Sequence, residues 1–330
     1  MISIILCSYN GNERIGASLF AISRLAMPSG KRVELVFIDS NSDKPMVDLV
    51  IESWNSLGTP FGLKTDIVTS PGKVAALQLG FQKASGEFLI VVDDDNELFS
   101  DYLIHGVSYL EKFPSVGILG GQGILPDGIK IPTWFSKYAY HFACGPQNDK
   151  DGNVQPTRNV VYGAGMWVRK SVYIKAIDNG FQFIFDFHGS NQSVDQFTNG
   201  GEDGELCWAI RFQGYEIHYL NSLKFTHRIS LMKFENSYLN LLIERTSKST
   251  LIGTIYYRVN QINSRKVNQF WIKELLYIVV HYLQNIKIQK SYFTNELNRN
   301  LSNIKLLLRL RYKYDDLFNQ LLSFKYKSSQ

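Results

Sequence analysis

Two short stretches place carboxylates where they could do chemistry. In "VVDDDNEL", residues 91–98, two valines run straight into Asp93, Asp94 and Asp95. The preceding run "GEFLIVV" is apolar and partly β-branched, the pattern of a strand buried on both faces. The three acids then fall at its C-terminal end. Adjacent like charges repel, so such a cluster is costly unless solvent or a cation neutralises it. A solvated turn is the bland account. Ligands of open α/β sheets gather at the carboxyl ends of strands, which favours a functional one. Hard divalent ions such as Mg2+ or Mn2+ take carboxylate oxygens and share phosphate oxygens with a substrate. Asp95, last of the three, is the natural direct ligand. In "GGEDGEL", residues 200–206, Glu202 and Asp203 open a helical pattern that ends at Gly214. Acids there complement the positive helix end, which also keeps a general base ionised.

The elements that must position these acids alternate. "ISIILCS", "RVELVFIDS" and "LKTDIVTS" read as strands, each followed by a helical pattern. The first helix puts Ile15, Leu19 and Ile22 on one face, and the third starts with Pro71 near its first turn and stops at Gly86. This order predicts a mainly parallel, doubly wound α/β sheet. Residues 121–160 are rich in Gly and Pro and read as loops around short strands. "VVYGAGMWVRKSV" returns to strand and helix, and the "GEDGELCWAIRFQGY" helix has Leu206, Ala209 and Ile210 inward. "EIHYL" and "LKFTHR" read as two short strands. Beyond about residue 230 the pattern is helical and basic. The chain therefore divides into 1–230 and 231–330.

Composition narrows the classes. A chain of 330 residues with 45% hydrophobic and 20% charged residues has the profile of a globular protein with a substantial core. Its three cysteines, Cys7, Cys144 and Cys207, have neither metal-ligand nor redox spacing, which points to a reduced, cytoplasmic setting. "MISIILCSYNGNER" lacks the features of a secretory signal, and "LLYIVVHYLQNI" is shorter than the ~20 residues a membrane span takes. Residues 1–230 hold 19 Lys+Arg against 24 Asp+Glu, net −5, while residues 231–330 hold 16 against 6, net +10. The basic residues are scattered among hydrophobics with no nucleic-acid recognition motif, so the expected partner of this region is an anionic membrane surface. "NQFWIKELLYIVVHYLQNIKIQKSYF" places Trp271, Leu275, Ile278 and Tyr282 at near-helical spacing, edged by Lys273, Lys287 and Lys290. That stripe suits a helix lying on a surface, at the inner face of a membrane, or one packed on the rest of the chain.

"CSYNGNERIG" has Gly11 and Gly16 at the wrong spacing for a dinucleotide fingerprint, and there is no Walker A sequence. A diphosphate would need a cation instead, which the acidic triplet could hold.

In the order "ISIILCSYNG", "VELVFIDSNSD", "PGKVAALQLGFQKASGEFLIVVDDDN", "YGAGMWVRKS" and "GEDGELCWAIRFQGY", residues 1–230 resemble the family 2 glycosyltransferases, which have the nucleotide-sugar-binding GT-A fold. The resemblance implies an inverting enzyme that moves a sugar from a nucleotide diphosphate sugar, a UDP-sugar above all, to a glycan or lipid-linked acceptor. It implies surface polysaccharide or glycolipid assembly. Tyr9 would edge the base with Cys7 alongside, where relatives carry a small polar residue or Pro. Asp39 would accept a hydrogen bond from the base, or else form the turn in "DSNSD". Lys73 would lie near the diphosphate, or be a solvated helix-start lysine. Asp93 and Asp94 would hold the ribose, and Asp95 the metal, Mn2+ or Mg2+. Asp203 would be the general base, with Glu202 beside the acceptor. His227 in "KFTHRIS" matches a third metal ligand or diphosphate contact, or is structural. Trp134, Gly165 and Met166 match the acceptor side, with Trp134 alternatively a packed core residue. The stretch "DFHGSNQSVDQFTNGG" departs from the family before the acidic pair. A non-catalytic scaffold of this fold, or a sugar nucleotidyltransferase, are the alternatives; the first would be expected to lack Asp95 or Asp203, the second to carry a basic Gly-rich start.

Overall fold

The computed structural model describes residues 1–155, 158–184, 201–263, 266–288 and 293–328. In chain order the elements are β1 (Ile2–Ser8), α1 (Ile15–Ser23), β2 (Val33–Asp39), α2 (Val47–Ser56), β3 (Gly62–Ile67), α3 (Lys73–Lys83), β4 (Phe88–Asp93) and β5 (Asn96–Leu98). Then come α4 (Tyr102–Lys112), β6 (Val116–Ile124), α5 (Phe135–Tyr138), β7 (Gly152–Asn153), β8 (Trp167–Arg169), α6 (Lys170–Asp178), α7 (Glu202–Phe212) and β9 (Glu216–His227). Four further helices follow, α8 (Asn236–Gln261), α9 (Phe270–Ile288), α10 (Phe293–Leu310) and α11 (Tyr312–Ser328).

One sheet runs β3-β2-β1-β4-β8-β6-β9-β5, with β7 paired to β9. The first four strands are parallel, and the β4–β8, β8–β6 and β9–β5 pairs are antiparallel. The sheet is therefore mixed, as a GT-A-type fold requires, with helical crossovers on the parallel half. β1 and β2 are buried almost throughout because their apolar residues lie under helices on both faces. Ile15, Leu19 and Ile22 of α1 are buried together with β1 and β4 residues in the main core. The chain passes from β1 outward to β2 and β3, then crosses back to place β4 on the other side of β1. That reversal opens a crevice beyond the carboxyl ends of β1 and β4, where open α/β sheets bind ligands. In register, Cys7 of β1 stands beside Asp93 of β4.

Three local expectations are corrected. Pro71 precedes the N-cap Gly72 of α3, so it lies outside the first turn, and the helix ends at Lys83 with Ala84 already extended. Gly86 is no helix cap: a Cβ there would lie 2.6 Å from the backbone nitrogen of Ser3. The "GGQGI" run, read as loop, is the end of the nine-residue strand β6. Its glycines serve close approach, since a Cβ on Gly121 would sit 2.2 Å from the Leu223 carbonyl oxygen. "EIHYL" and "LKFTHR" form the one strand β9, continuous through Asn221, whose amide donates to Asp151 Oδ1 at 2.6 Å.

The chain forms two compact units, Met1–Lys175 with Leu206–Ser230, and Ala176–Glu205 with Leu231–Gln330. A cut at residue 230 would give 176–205 to the first unit. The described residues among them, 176–184 and 201–205, group with the C-terminal helices: the Phe181 ring meets Phe324 at 5.6 Å and the Glu205 carboxylate accepts from the Tyr256 hydroxyl at 2.6 Å. In this second unit, Asp315 of α11 accepts from the amides of Phe270 and Trp271, capping α9. Lys325 donates to the carbonyls of Val259, Asn260 and Ile262 at the end of α8, where a cation complements the helix dipole. The stripe of α9 expected to lie on a surface is its inward side, with Ile278 buried and Trp271, Leu275 and Tyr282 half-buried. No helix among the described residues is long and apolar enough to cross a membrane.

Candidate active site

At the end of β4 the three aspartates take three different environments. Asp93 is half-buried, with the Lys73 ammonium 3.3 Å from Oδ1. Asp94 turns inward and is 6% exposed. It accepts a hydrogen bond from the Ser8 hydroxyl and a forked pair from Arg14, Nε to Oδ1 at 2.6 Å and Nη2 to Oδ2 at 2.9 Å. Burial nevertheless pushes its pKa up, against the pull of Arg14 and Ser8. Gly11 makes room for this arrangement, since a Cβ there would be 2.2 Å from Asp94 Oδ2. Arg14 was not singled out from sequence; its position at the head of α1 gives no sign that its fork reaches 80 residues along the chain.

Asp95, like Asp93, is half-buried. Its backbone carbonyl accepts from the Arg228 amide at 2.9 Å, and β5 pairs with the end of β9, Asn96 opposite His227. This brings His227 Nε2 within 3.4 Å of Asp95 Oδ2. The other ring nitrogen, Nδ1, lies 2.8 Å from the Phe142 carbonyl, to which it donates. Burial alone would lower the imidazole pKa, but Asp95 and Cys144 outweigh it and push it up to about 10. No group of three or more His, Cys, Asp and Glu side chains able to hold a metal occurs among the described residues. The Asp95–His227 pair would offer two donors of the right kind for a divalent ion that completes its shell with phosphate oxygens and water, provided the ion displaces the Nε2 proton that Asp95 holds in its absence. The Nδ1 bond to a backbone carbonyl is the outer-shell contact that orients a ligating imidazole.

The floor of the crevice is stiff. Asp39 is fully buried, and its two oxygens accept the amides of Ser42 and Met46 at 2.9 and 2.8 Å. Its carboxylate thus fills a turn-forming role. Met46 Sδ accepts in turn from the Gly11 amide at 3.4 Å and lies 3.4 Å from the Ser8 hydroxyl oxygen, whose hydrogen goes to Asp94. Asn10, with φ +51°, exchanges hydrogen bonds with Asp43. Above this floor Tyr9 is 47% exposed, its carbonyl held by Arg14. Burial, and then Asp93, push the Cys7 thiol up to about 12, so it is a neutral wall beside the triplet.

The remaining residues of the first unit brace the site. Gly165 has φ +71°, and a Cβ there would lie 2.4 Å from the Tyr102 hydroxyl. Its amide donates to Val91, and the Val91 amide donates to Met166. Both residues are buried and hold β4 two positions before Asp93. Trp134 is half-buried, its ring 6.0 Å from Phe142, whose carbonyl orients His227. Gly165 and Met166 are buried against β4, and Trp134, which packs near Phe142, keeps part of its surface exposed.

The second acidic stretch belongs to the first turn of α7, in the second unit. Glu202 is buried and Asp203 half-buried, with Asp203 Oδ1 accepting the Gly204 amide at 2.7 Å. Glu205 is buried and accepts the Ile184 amide at 2.8 Å and the Tyr256 hydroxyl at 2.6 Å. Most of the stretch 186–201, expected to depart from relatives, lies outside the described residues.

Comparison with known proteins adds three findings. The family described as Glycosyl transferase family 2 matches residues 3–176, more than half of the chain. A poly-beta-1,6-N-acetyl-D-glucosamine synthase of Staphylococcus epidermidis is 25% identical over 121 residues, which cover 37% of this chain and 28% of the relative's length. Among solved structures, residues 1–349 of S. aureus TarS in complex with UDP-GlcNAc match at 14% identity and TM-score 0.52, covering 100% of this chain and 92% of that one. A mannosyltransferase, PcManGT, from Pyrobaculum calidifontis in complex with GDP-Man and Mn2+ matches at 13% identity and TM-score 0.51, covering 99% and 85%. At these identities the structures share the fold.

Proposed function

Because the chain belongs to glycosyl transferase family 2, we propose that it moves a sugar, with inversion, from a nucleoside diphosphate sugar to a hydroxyl of a glycan or lipid-linked acceptor, in surface polysaccharide or glycolipid assembly. The observation that carries this reading is the pair Asp95–His227 at the crevice between β1 and β4, held 3.4 Å apart by the β5–β9 pairing. Asp95 and His227 would hold Mn2+ or Mg2+, and a bound divalent ion supplies charge neutralisation to the departing diphosphate. Tyr9 edges the base with the Cys7 thiol as wall. Asp39 shapes the loop beneath them. Asp93 faces the ribose, Asp94 fixes the triplet through Arg14, and the Lys73 ammonium reaches the diphosphate. Asp203 takes the proton from the acceptor hydroxyl as its oxygen attacks the anomeric carbon, and Glu202 stands beside the acceptor. A UDP-sugar donor is favoured, since two of the TarS structures are complexes with UDP and with UDP-GlcNAc.

The test is nucleoside diphosphate release from a panel of UDP- and GDP-sugars, with and without Mn2+. Metal-dependent release from one donor class is expected. Donor binding without any release would leave a scaffold, and pyrophosphate-dependent release of nucleoside triphosphate would make it a nucleotidyltransferase.

A further inference from the structure

Helix α9 is apolar on both sides. Opposite its inward stripe, Ile272 is 36% exposed, Leu276 59%, Val280 51% and Leu283 52%, with Tyr277 at 56% beside them. Their spacing of four, four and three residues draws one line along the helix. A continuous apolar line on a surface marks a docking site rather than stray exposure. Its edge is cationic: Lys273 is exposed on the same side, and Lys266 is exposed just before the helix. The helix has a single acid, Glu274, which is buried and faces Arg258. The outward surface of α9 thus combines apolar side chains and cations with no carboxylate, in a region of net charge +10. Two copies of the chain docked through this face would set Lys273 and its neighbours against like charges. A surface that is apolar below and anionic above satisfies both features.

We propose that the outward face of α9, with Ile272, Leu276, Val280 and Leu283 as its apolar line and Lys273 at its edge, docks the protein on an anionic lipid bilayer. The helix lies in the plane of the headgroups with its apolar line directed into the acyl boundary, while the Trp271–Ile278 side keeps its place among the other helices. The proposal goes beyond the glycosyl-transfer reading and does not depend on it, because binding is measured without donor or acceptor.

The experiment is co-sedimentation of the full chain with vesicles of phosphatidylcholine alone and of phosphatidylcholine mixed with phosphatidylglycerol, at low and high salt. Binding to the mixed vesicles that weakens with salt is expected. Each cation near the surface strengthens binding about fivefold, so Lys273→Glu should weaken it by at least that factor. L276N combined with V280N should weaken it by about tenfold or more, with unaltered thermal melting because both residues face solvent. Equal binding to both vesicle types, binding to neither, or undiminished binding by the double variant would overturn the proposal. So would self-association of the parent chain that the double variant abolishes, which would assign the face to a second copy.

Discussion

The exit of β4 and the first turn of α7 each carry three carboxylates within four residues, and each withdraws some from solvent, but by different rules. Along the strand exit the middle acid, Asp94, is buried, and Asp93 and Asp95 on either side stay partly exposed. On the helix, Glu202 and Glu205 are three apart, share the inward side and are buried, while Asp203 between them is half-exposed. Asp94 and Asp95 form the turn between β4 and β5, where the Ser8 and Arg14 donors hold Asp94 inward, whereas a helix returns to one face after three or four residues. Side-chain donors at the turn and backbone period on the helix therefore select which acids stay partly exposed. The buried ones also differ in how they are tolerated. Asp94 is paired with a guanidinium, whereas Glu205 accepts from an amide and a phenol in the first turn of a helix, where the dipole favours an anion. In both places a buried carboxylate is held by nearby donors and a neighbour stays partly exposed.

The sharpest way to break this division is to remove one partly exposed acid of each cluster, Asp203 on the helix and Asp95 at the turn. Asp203→Asn should lower turnover by ~10²–10⁴-fold, the range for a lost general base, while donor affinity is unchanged. Near-normal turnover with the true acceptor would move the base to another residue. Asp95→Ala should weaken Mn2+-dependent binding of nucleoside diphosphate by at least ~10–100-fold, read by calorimetric titration. An unchanged affinity would reject Asp95 as a ligand. Asp94→Ala, by contrast, should show its main effect as a lowered melting temperature, because Asp94 acts through Arg14 and Ser8.

Much of this was legible in the chain. The alternation of strands and helices up to β4, the inward faces of α1 and α7, and the triplet at a strand end follow from periodicity, which local sequence encodes directly. The close approaches of Gly86 and Gly121 do not, because a glycine that makes room for a distant backbone looks the same as one in a loop. Nor does the role of Arg14, whose partner is set by where α1 docks on β4. Asp39 shows the converse. Its place at a strand end invites a ligand, and only the positions of the Ser42 and Met46 amides reveal that both oxygens also hold the following turn. The outward line of α9 was hidden for another reason: a helix apolar all round offers two stripes, and sequence does not say which one the bundle covers.

Tyr256→Phe probes the anchoring half of the helical cluster. It removes the hydroxyl that donates to buried Glu205 at 2.6 Å and should cost about 1.5–3 kcal/mol, as hydrogen bonds to charged groups do. Urea unfolding should show a lower midpoint with the same slope. Donor affinity should not move, since no donor-binding residue is altered. A variant as stable as the parent would mean that Glu205 is held by its other contacts and that Tyr256 is not the anchor.

The smallest effect belongs to a buried carboxylate outside both clusters, Glu34 of β2, and it isolates what burial with good partners does to a charge. Glu34 Oε1 accepts from the Ser3 hydroxyl at 2.6 Å and the Ser85 amide at 2.5 Å, and Lys64 lies 2.9 Å from Oε2. Burial by itself would raise its pKa, but Ser3, Ser85 and Lys64 together hold it below the ordinary 4.5. A carboxylate lowered in the folded state binds fewer protons there than in the unfolded chain, so it contributes stability above its ordinary pKa and loses it as the pH falls through the folded-state value. Glu34→Gln should therefore cost about 1 kcal/mol at neutral pH, and the gap to the parent should close in acid. Half-exposed Lys64 makes part of that gap sensitive to salt. Urea unfolding of both proteins from neutral to acidic pH reads it directly. A gap that stays constant would assign Glu34 a packing role and remove charge from the account. Burial raises the pKa of Asp94 and Glu34 alike; at Asp94 it prevails over Arg14 and Ser8, whereas at Glu34 the donors Ser3, Ser85 and Lys64 prevail, so the net shift depends on the balance between burial and partners.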